Sequence, residues 1–106
     1  MSRTISRAYV SAAWSKNRVD AEDQARKYCR ELIAKGKLPI CPVLMFSDVF
    51  DENNPETEKK RRKMCDFLIK TCRELIICGE PDDRVNEEAS TAREAGVCVN
   101  MLSGVL

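Results

Sequence analysis

The chain has 106 residues, enough for a single domain over residues 1–106 with one modest core. Hydrophobic residues make up 43% and charged residues 33%, a globular composition, and the formal charge of +1 gives no general electrostatic case for nucleic acid or an anionic membrane as the main partner. No apolar run approaches the roughly 18 residues of a membrane span, and no signal-peptide pattern is visible, so a cytoplasmic protein is expected.

In chain order, "RAYVSA" (7–12) reads as a short strand. Residues 19–35 switch to helical period, with Ala21, Ala25, Tyr28, Cys29, Leu32 and Ile33 on one face, Asp20 or Asn17 as cap and Gly36 as the stop. "LPICPV" (38–43) is a second strand whose two prolines cannot donate to a ladder, so it belongs at a sheet edge. "LMFSDVFDENN" (44–54) is a longer loop rich in acids and aromatics. Asn54 and Pro55 then form an N-cap and first-turn pair, Glu56 and Glu58 complement the helix dipole, and Met64, Cys65, Leu68, Ile69 and Cys72 give this second helix a buried face. Its basic run "KKRRK" (59–63) reads as a solvated face within pairing distance of Glu56 and Glu58, not as a nucleic-acid site. "ELIICG" (74–79) is continuously apolar and therefore a central strand. "EPDD" is a turn, residues 84–96 a third helix, and "VCVNM" (97–101) a fourth strand.

Strands alternating with helices predict an α/β fold, a three-layer flavodoxin-like or Rossmann-like sandwich. Its four-stranded parallel sheet takes the order 2-1-3-4, with helices on both faces. Chain direction reverses beside strands 1 and 3, and ligands in such sheets bind outside the carboxyl ends of the strands at that point.

The chain has no histidine, which excludes Ser-His-Asp and Cys-His nucleophile systems and leaves acid–base work to Asp, Glu, Tyr, Lys or Cys. Six cysteines (29, 41, 65, 72, 78 and 98) form no C-x-x-C pair, so no metal site is expected. Reduced, mostly buried structural thiols are expected instead. Nor is there a glycine-rich phosphate loop, and no cofactor is expected.

"RVNEEASTAREAG" (84–96) carries two adjacent glutamates. At about 100° per residue, Val85, Ala89, Ala92 and Ala95 share the packing side, Glu88 lies on the edge of that stripe, and Glu87 points towards water. An acid near a helix N-terminus ordinarily complements the dipole, which suffices for Glu87. A carboxylate at position 88 leans into the switch-point crevice, where it suits nucleophilic or electrostatic work.

The stretches "AYVSAAWS", "DFLIKTCRELIICG" and "DDRVNEEASTAREAGVCV", with Glu88 eight residues before Gly96, resemble the nucleoside 2-deoxyribosyltransferase-like superfamily. The resemblance implies cleavage or transfer at the N-glycosidic bond of a (deoxy)nucleoside or nucleotide. In it Glu88 is the nucleophile that attacks C1′, by chemistry parallel to retaining glycoside hydrolysis. It also implies that Tyr9 and Ser11 line the sugar pocket and that Asp82 holds a sugar hydroxyl or phosphate. Asp66 would be the proton donor to the leaving base or else a solvated helix residue. Trp14 would stack on a base or act as a packing lid, and Asp48 and Asp51 lie on the loop at the ligand end of the sheet or are simply solvated. Arg84 would meet a phosphate or be exposed. The alternative function is a module of the same fold that binds a nucleotide or nucleotide-derived signal without turnover. The resemblance further implies a homo-oligomer, with Asn100 or Ser103 offered to a neighbour's pocket.

Overall fold

Where the apolar period changes from two towards four, the chain changes from strand to helix, and a computed structural model describes residues 5–13, 18–46, 49 and 54–102. The elements are β1 (Ser6–Ala12), α1 (Arg18–Ala34), β2 (Lys37–Ile40), α2 (Pro42–Met45), α3 (Pro55–Thr71), β3 (Glu74–Cys78), α4 (Asp83–Glu94) and β4 (Cys98–Met101). The four strands form one parallel sheet in the order β2-β1-β3-β4. That is the expected order, with the proline-bearing strand at one edge and the continuously apolar β3 inside. Among the described residues no helix is long and apolar enough to cross a membrane, and no cluster of three or more Cys, Asp or Glu is placed to hold a metal.

Successive strand residues point to opposite faces, so β1 and β3 each supply two cores. Ala8, Val10, Ile76 and Cys78 pack with Ala21, Ala25 and Leu32 of α1. Tyr9, Leu75 and Ile77 pack with Cys65 and Ile69 of α3 and with Val85, Ala89 and Ala92 of α4. The sheet thus has α1 on one face and α3 with α4 on the other. Helix α3 starts as its sequence requires: Asn54 Oδ1 accepts from the Glu56 amide at 3.0 Å, and Pro55 fills the first turn.

Several local expectations need correction. The second strand stops at Ile40, not at residue 43, because Pro42 has its φ preset for a helical first turn and opens α2. Ile33 and Met64 share the apolar stripe of their helices in projection yet are exposed, and Ala95, also exposed, follows the last residue of its helix as the C-cap. All six cysteines are free, but Cys98 is exposed on the edge strand and Cys29 is half-buried. Asn17, expected as one possible cap of α1, and Ser103 lie outside the described residues, whereas Asp20 falls in the first turn of α1. Asn100 is exposed on β4 and donates within the chain to Glu74 Oε1 at 3.1 Å.

At the ligand end of β3 the chain turns through Gly79 at φ +75. A Cβ there would stand 2.7 Å from the Tyr28 hydroxyl oxygen and 3.6 Å from the ring carbon that bears it. Gly79→Ala is therefore expected to destabilise the fold by about 2 kcal/mol or more, from left-handed strain plus the clash. Adding Tyr28→Phe removes the close oxygen and should restore the steric part only, as urea denaturation of the single and double variants will show.

Candidate active site

The chain direction reverses between β1 and β3, and helix α4 begins just beyond the end of β3. Asp82 caps α4, its Oδ1 accepting from the Val85 amide at 2.8 Å. The helix starts at Asp83, so Glu88 is in its second turn and no longer at the N-terminus proper. The dipole acts within the first turn, so some other interaction must hold the Glu88 carboxylate.

That interaction comes from β1. Glu88 is only 7% exposed. The Tyr9 hydroxyl donates to Glu88 Oε2 at 2.6 Å, and the Ser11 hydroxyl donates to Oε1 at 2.7 Å. Tyr9 and Ser11 are two apart on one strand, so both side chains leave the same face, the one α4 covers. A buried carboxylate is tolerated only when its lone pairs are engaged, and short hydrogen bonds to a charged acceptor are the strong ones. Glu87, its neighbour in sequence, is exposed and pairs with Arg62 of α3. The two glutamates separate as helical geometry predicts.

Burial, and next the Glu88 charge, push the Tyr9 phenol well above its ordinary range. An unfolded chain releases the tyrosine proton near pH ~10, while the folded chain keeps it. The stability Tyr9 contributes is thus fully present below pH ~10 and is lost as the pH rises beyond it. Urea midpoints measured at increasing alkaline pH should fall, and Tyr9→Phe should remove that part of the slope.

A groove between α3 and α4 opens beside Glu88, lined by Arg61, Arg62, Cys65, Asp66, Arg84, Glu87 and Thr91. Arg84 is half-buried, and its Nη2 donates to the Ala12 carbonyl at the end of β1 at 3.2 Å. Burial lowers the Arg84 pKa, and the nearby Glu88 charge opposes that fall. Of the two readings left open for Arg84, exposure is thus corrected: the side chain is drawn in by the strand end and the carboxylate. The basic run likewise does not lie wholly on a solvated face. Arg61 turns inward to the groove and pairs with Glu58 at 2.6 Å, one turn earlier on α3. Burial pushes the Cys65 thiol up, a hydrogen bond with Tyr9 opposes the rise, and the Glu88 charge adds to it.

Tyr9, Ser11 and Glu88 are thus brought into direct contact, and Arg84 and Asp66 border the same groove. Asp66 is exposed on the rim. Asp82 is brought to the right end of the sheet but is engaged as a helix cap. Trp14, Asp48 and Asp51 lie outside the described residues. Arg61 was missed in sequence, although its spacing of four from Cys65 puts both on one helix face. Loss of the cap in Asp82→Ala should lower stability by about 1 kcal/mol, and Asp82→Asn, which can still accept from Val85, should restore it in urea denaturation.

A comparison with curated proteins finds no match. Among solved structures, the fold resembles that of a 2-deoxyribosyltransferase from the psychrotolerant bacterium Bacillus psychrosaccharolyticus, with a TM-score of 0.74 and 12% identity over 94% of this chain and 76% of that one. At that identity the likeness establishes a shared fold. The model of one family spans residues 6–102, from the start of β1 to just past β4, and the chain belongs to that family, described as a domain of unknown function (DUF7768).

Proposed function

We propose that the protein cleaves or transfers the N-glycosidic bond of a (deoxy)nucleoside or nucleotide, with Glu88 as nucleophile. The observation that carries this reading is the Glu88 carboxylate itself. It is buried, gripped by two hydroxyls from β1, and set beside a groove at the switch point of a parallel sheet. The deoxyribosyltransferase fold of the structural neighbour supports it. A carboxylate oxygen would form a bond to C1′ as the bond from C1′ to the base nitrogen breaks, through an oxocarbenium-like transition state. The leaving base takes a proton, for which Asp66 on the rim is the proposed source. Water or a second base then displaces Glu88 from C1′. Tyr9 and Ser11 fix the carboxylate in place, and Arg84 faces any phosphate on the sugar.

The fold also suits a module that holds a nucleotide without turnover. What favours that second reading is Arg84, a bulky cation that borders the groove beside Glu88 and is bonded to the end of β1. Incubation with purine and pyrimidine (deoxy)nucleosides and their 5′-monophosphates, followed by chromatography for free base, separates the two. Base release by the wild type and none by Glu88→Ala supports the enzyme. Equal ligand binding by both proteins with no base released supports the module.

A homo-oligomer remains part of the proposal, since Met64 and Phe67 on α3 and Met101 on β4 leave apolar side chains exposed. Light scattering at micromolar concentration should give a multiple of the 12.0 kDa chain mass.

A further inference from the structure

The basic run "KKRRK" of α3 divides at the groove. Its two arginines, Arg61 and Arg62, line the groove beside Glu88, while Lys59, Lys60 and Lys63 are exposed outside it. Arg84 enters the same groove from α4. A chain with a formal charge of only +1 thus gathers three guanidinium groups, and no lysine among the described residues, around Glu88. Of the other carboxylates there, Glu87 is paired with Arg62 and Asp66 lies exposed on the rim. We propose that this groove binds the phosphate of a pentose 5-phosphate, so that the substrate is a nucleoside 5′-monophosphate rather than a nucleoside, with Arg61 and Arg84 as the pair that holds the phosphate. The placement of the sugar rests on the reading of Glu88 as nucleophile, whereas the phosphate contacts are tested apart from it.

Helix geometry sets the spacing. Arg84 and Glu88 are four apart on α4, so their side chains rise from one face with Cβ atoms ~5–6 Å apart. That separation is comparable to the span from the anomeric carbon of a pentose to its 5-phosphate. With C1′ over the Glu88 carboxylate, the phosphate therefore falls towards Arg84, whose Nη2 is tied to the Ala12 carbonyl at 3.2 Å. Arg61 faces the groove from α3 with its side chain only 14% exposed. Its Nη2 donates to both oxygens of Glu58 at 2.6 Å, which sets the plane of the guanidinium at the groove wall.

The residue type fits the ligand. A guanidinium is a planar fork that meets two phosphate oxygens at once, whereas a lysine is a point charge. Burial depresses the Arg84 pKa, the Glu88 charge opposes the fall, and the Arg61 charge adds to it, so two like charges sense each other across the groove. A phosphate dianion between them relieves that repulsion. The volume of the groove, about 80 Å³, is that of a few water molecules at ~30 Å³ each, room for one phosphoryl group and not for a di- or triphosphate.

The test is calorimetric titration of the full chain with 2-deoxyribose 5-phosphate and ribose 5-phosphate, which carry sugar and phosphate without a base. Free 2-deoxyribose, ribose and inorganic phosphate are the controls. A sugar phosphate should bind, and the controls should bind ~10-fold more weakly or not at all. Arg61→Gln and Arg84→Gln should each weaken binding by ~10-fold or more, and Lys60→Gln should leave it unchanged. Arg61→Lys, which keeps the charge and loses the fork, should stay closer to Arg61→Gln than to the wild type. Should Arg84→Gln fail to fold, the two Arg61 variants carry the test. No binding of either sugar phosphate, inorganic phosphate bound as tightly as they are, or a loss in Lys60→Gln equal to that in Arg61→Gln would overturn the proposal. Base release from nucleosides as fast as from their 5′-monophosphates would overturn it too, while leaving Glu88 as nucleophile. Sugar phosphate bound with no base released from any substrate upholds the phosphate site and removes the enzyme reading instead.

Discussion

Replacing Glu88 with glutamine is expected to abolish base release and leave the fold intact. Glutamine has the shape of glutamate, and both hydroxyls that contact position 88 can donate or accept. Tyr9 can still donate to the amide oxygen while Ser11 turns to accept from the amide nitrogen, so no buried polar atom is stranded. The chemistry has no such substitute. A neutral amide neither forms the glycosyl ester nor offsets the positive charge that develops at C1′. A loss of at least ~10³-fold is expected, which corresponds to about 4 kcal/mol of transition-state stabilisation. Rates of base release, set beside urea midpoints for the same preparations, check both halves.

Tyr9→Phe is expected to act on stability and activity together. It removes the shorter of the two hydrogen bonds on Glu88, the 2.6 Å bond to Oε2, and leaves that oxygen in a core where water has little access. A hydrogen bond to a buried charge is worth about 1.5–3 kcal/mol, so the urea midpoint should drop accordingly. Activity should fall roughly tenfold to a hundredfold, because the carboxylate gains freedom that the nucleophilic attack cannot use. Tyr9→Ala would combine this with a large cavity and would not separate the two effects. A Tyr9→Phe protein of unchanged stability and rate would show that the bond is not what holds the carboxylate.

The architecture was legible because it rests on periodicity. The short apolar stretch of β1, the continuous apolar run of β3 and the helical spacing of the apolar residues in the helices each report a local environment. The two prolines of "LPICPV" identified the edge strand, which fixed the order of the rest. The same prolines misled on length, since Pro42 starts a helix as readily as it ends a strand. Glu88 was legible by angle alone, but its support was not. The hydroxyls of Tyr9 and Ser11 supply that support from nearly 80 residues away along the chain. Arg61 shows the same limit. It reads as a surface charge within its own helix, and it is the groove between α3 and α4 that draws it inward.

The proposed reaction requires Glu88 to become covalently bonded to the sugar. Incubation with a 2′-fluoro-arabinosyl nucleoside tests it most directly, because the fluorine slows the second displacement more than it prevents the first. Intact-mass analysis should then show one added fluorosugar per chain with free base in solution, and peptide mapping should locate the sugar on Glu88. Base release from ordinary nucleosides or nucleotides with no sugar on Glu88, or with the sugar on another residue, would contradict it.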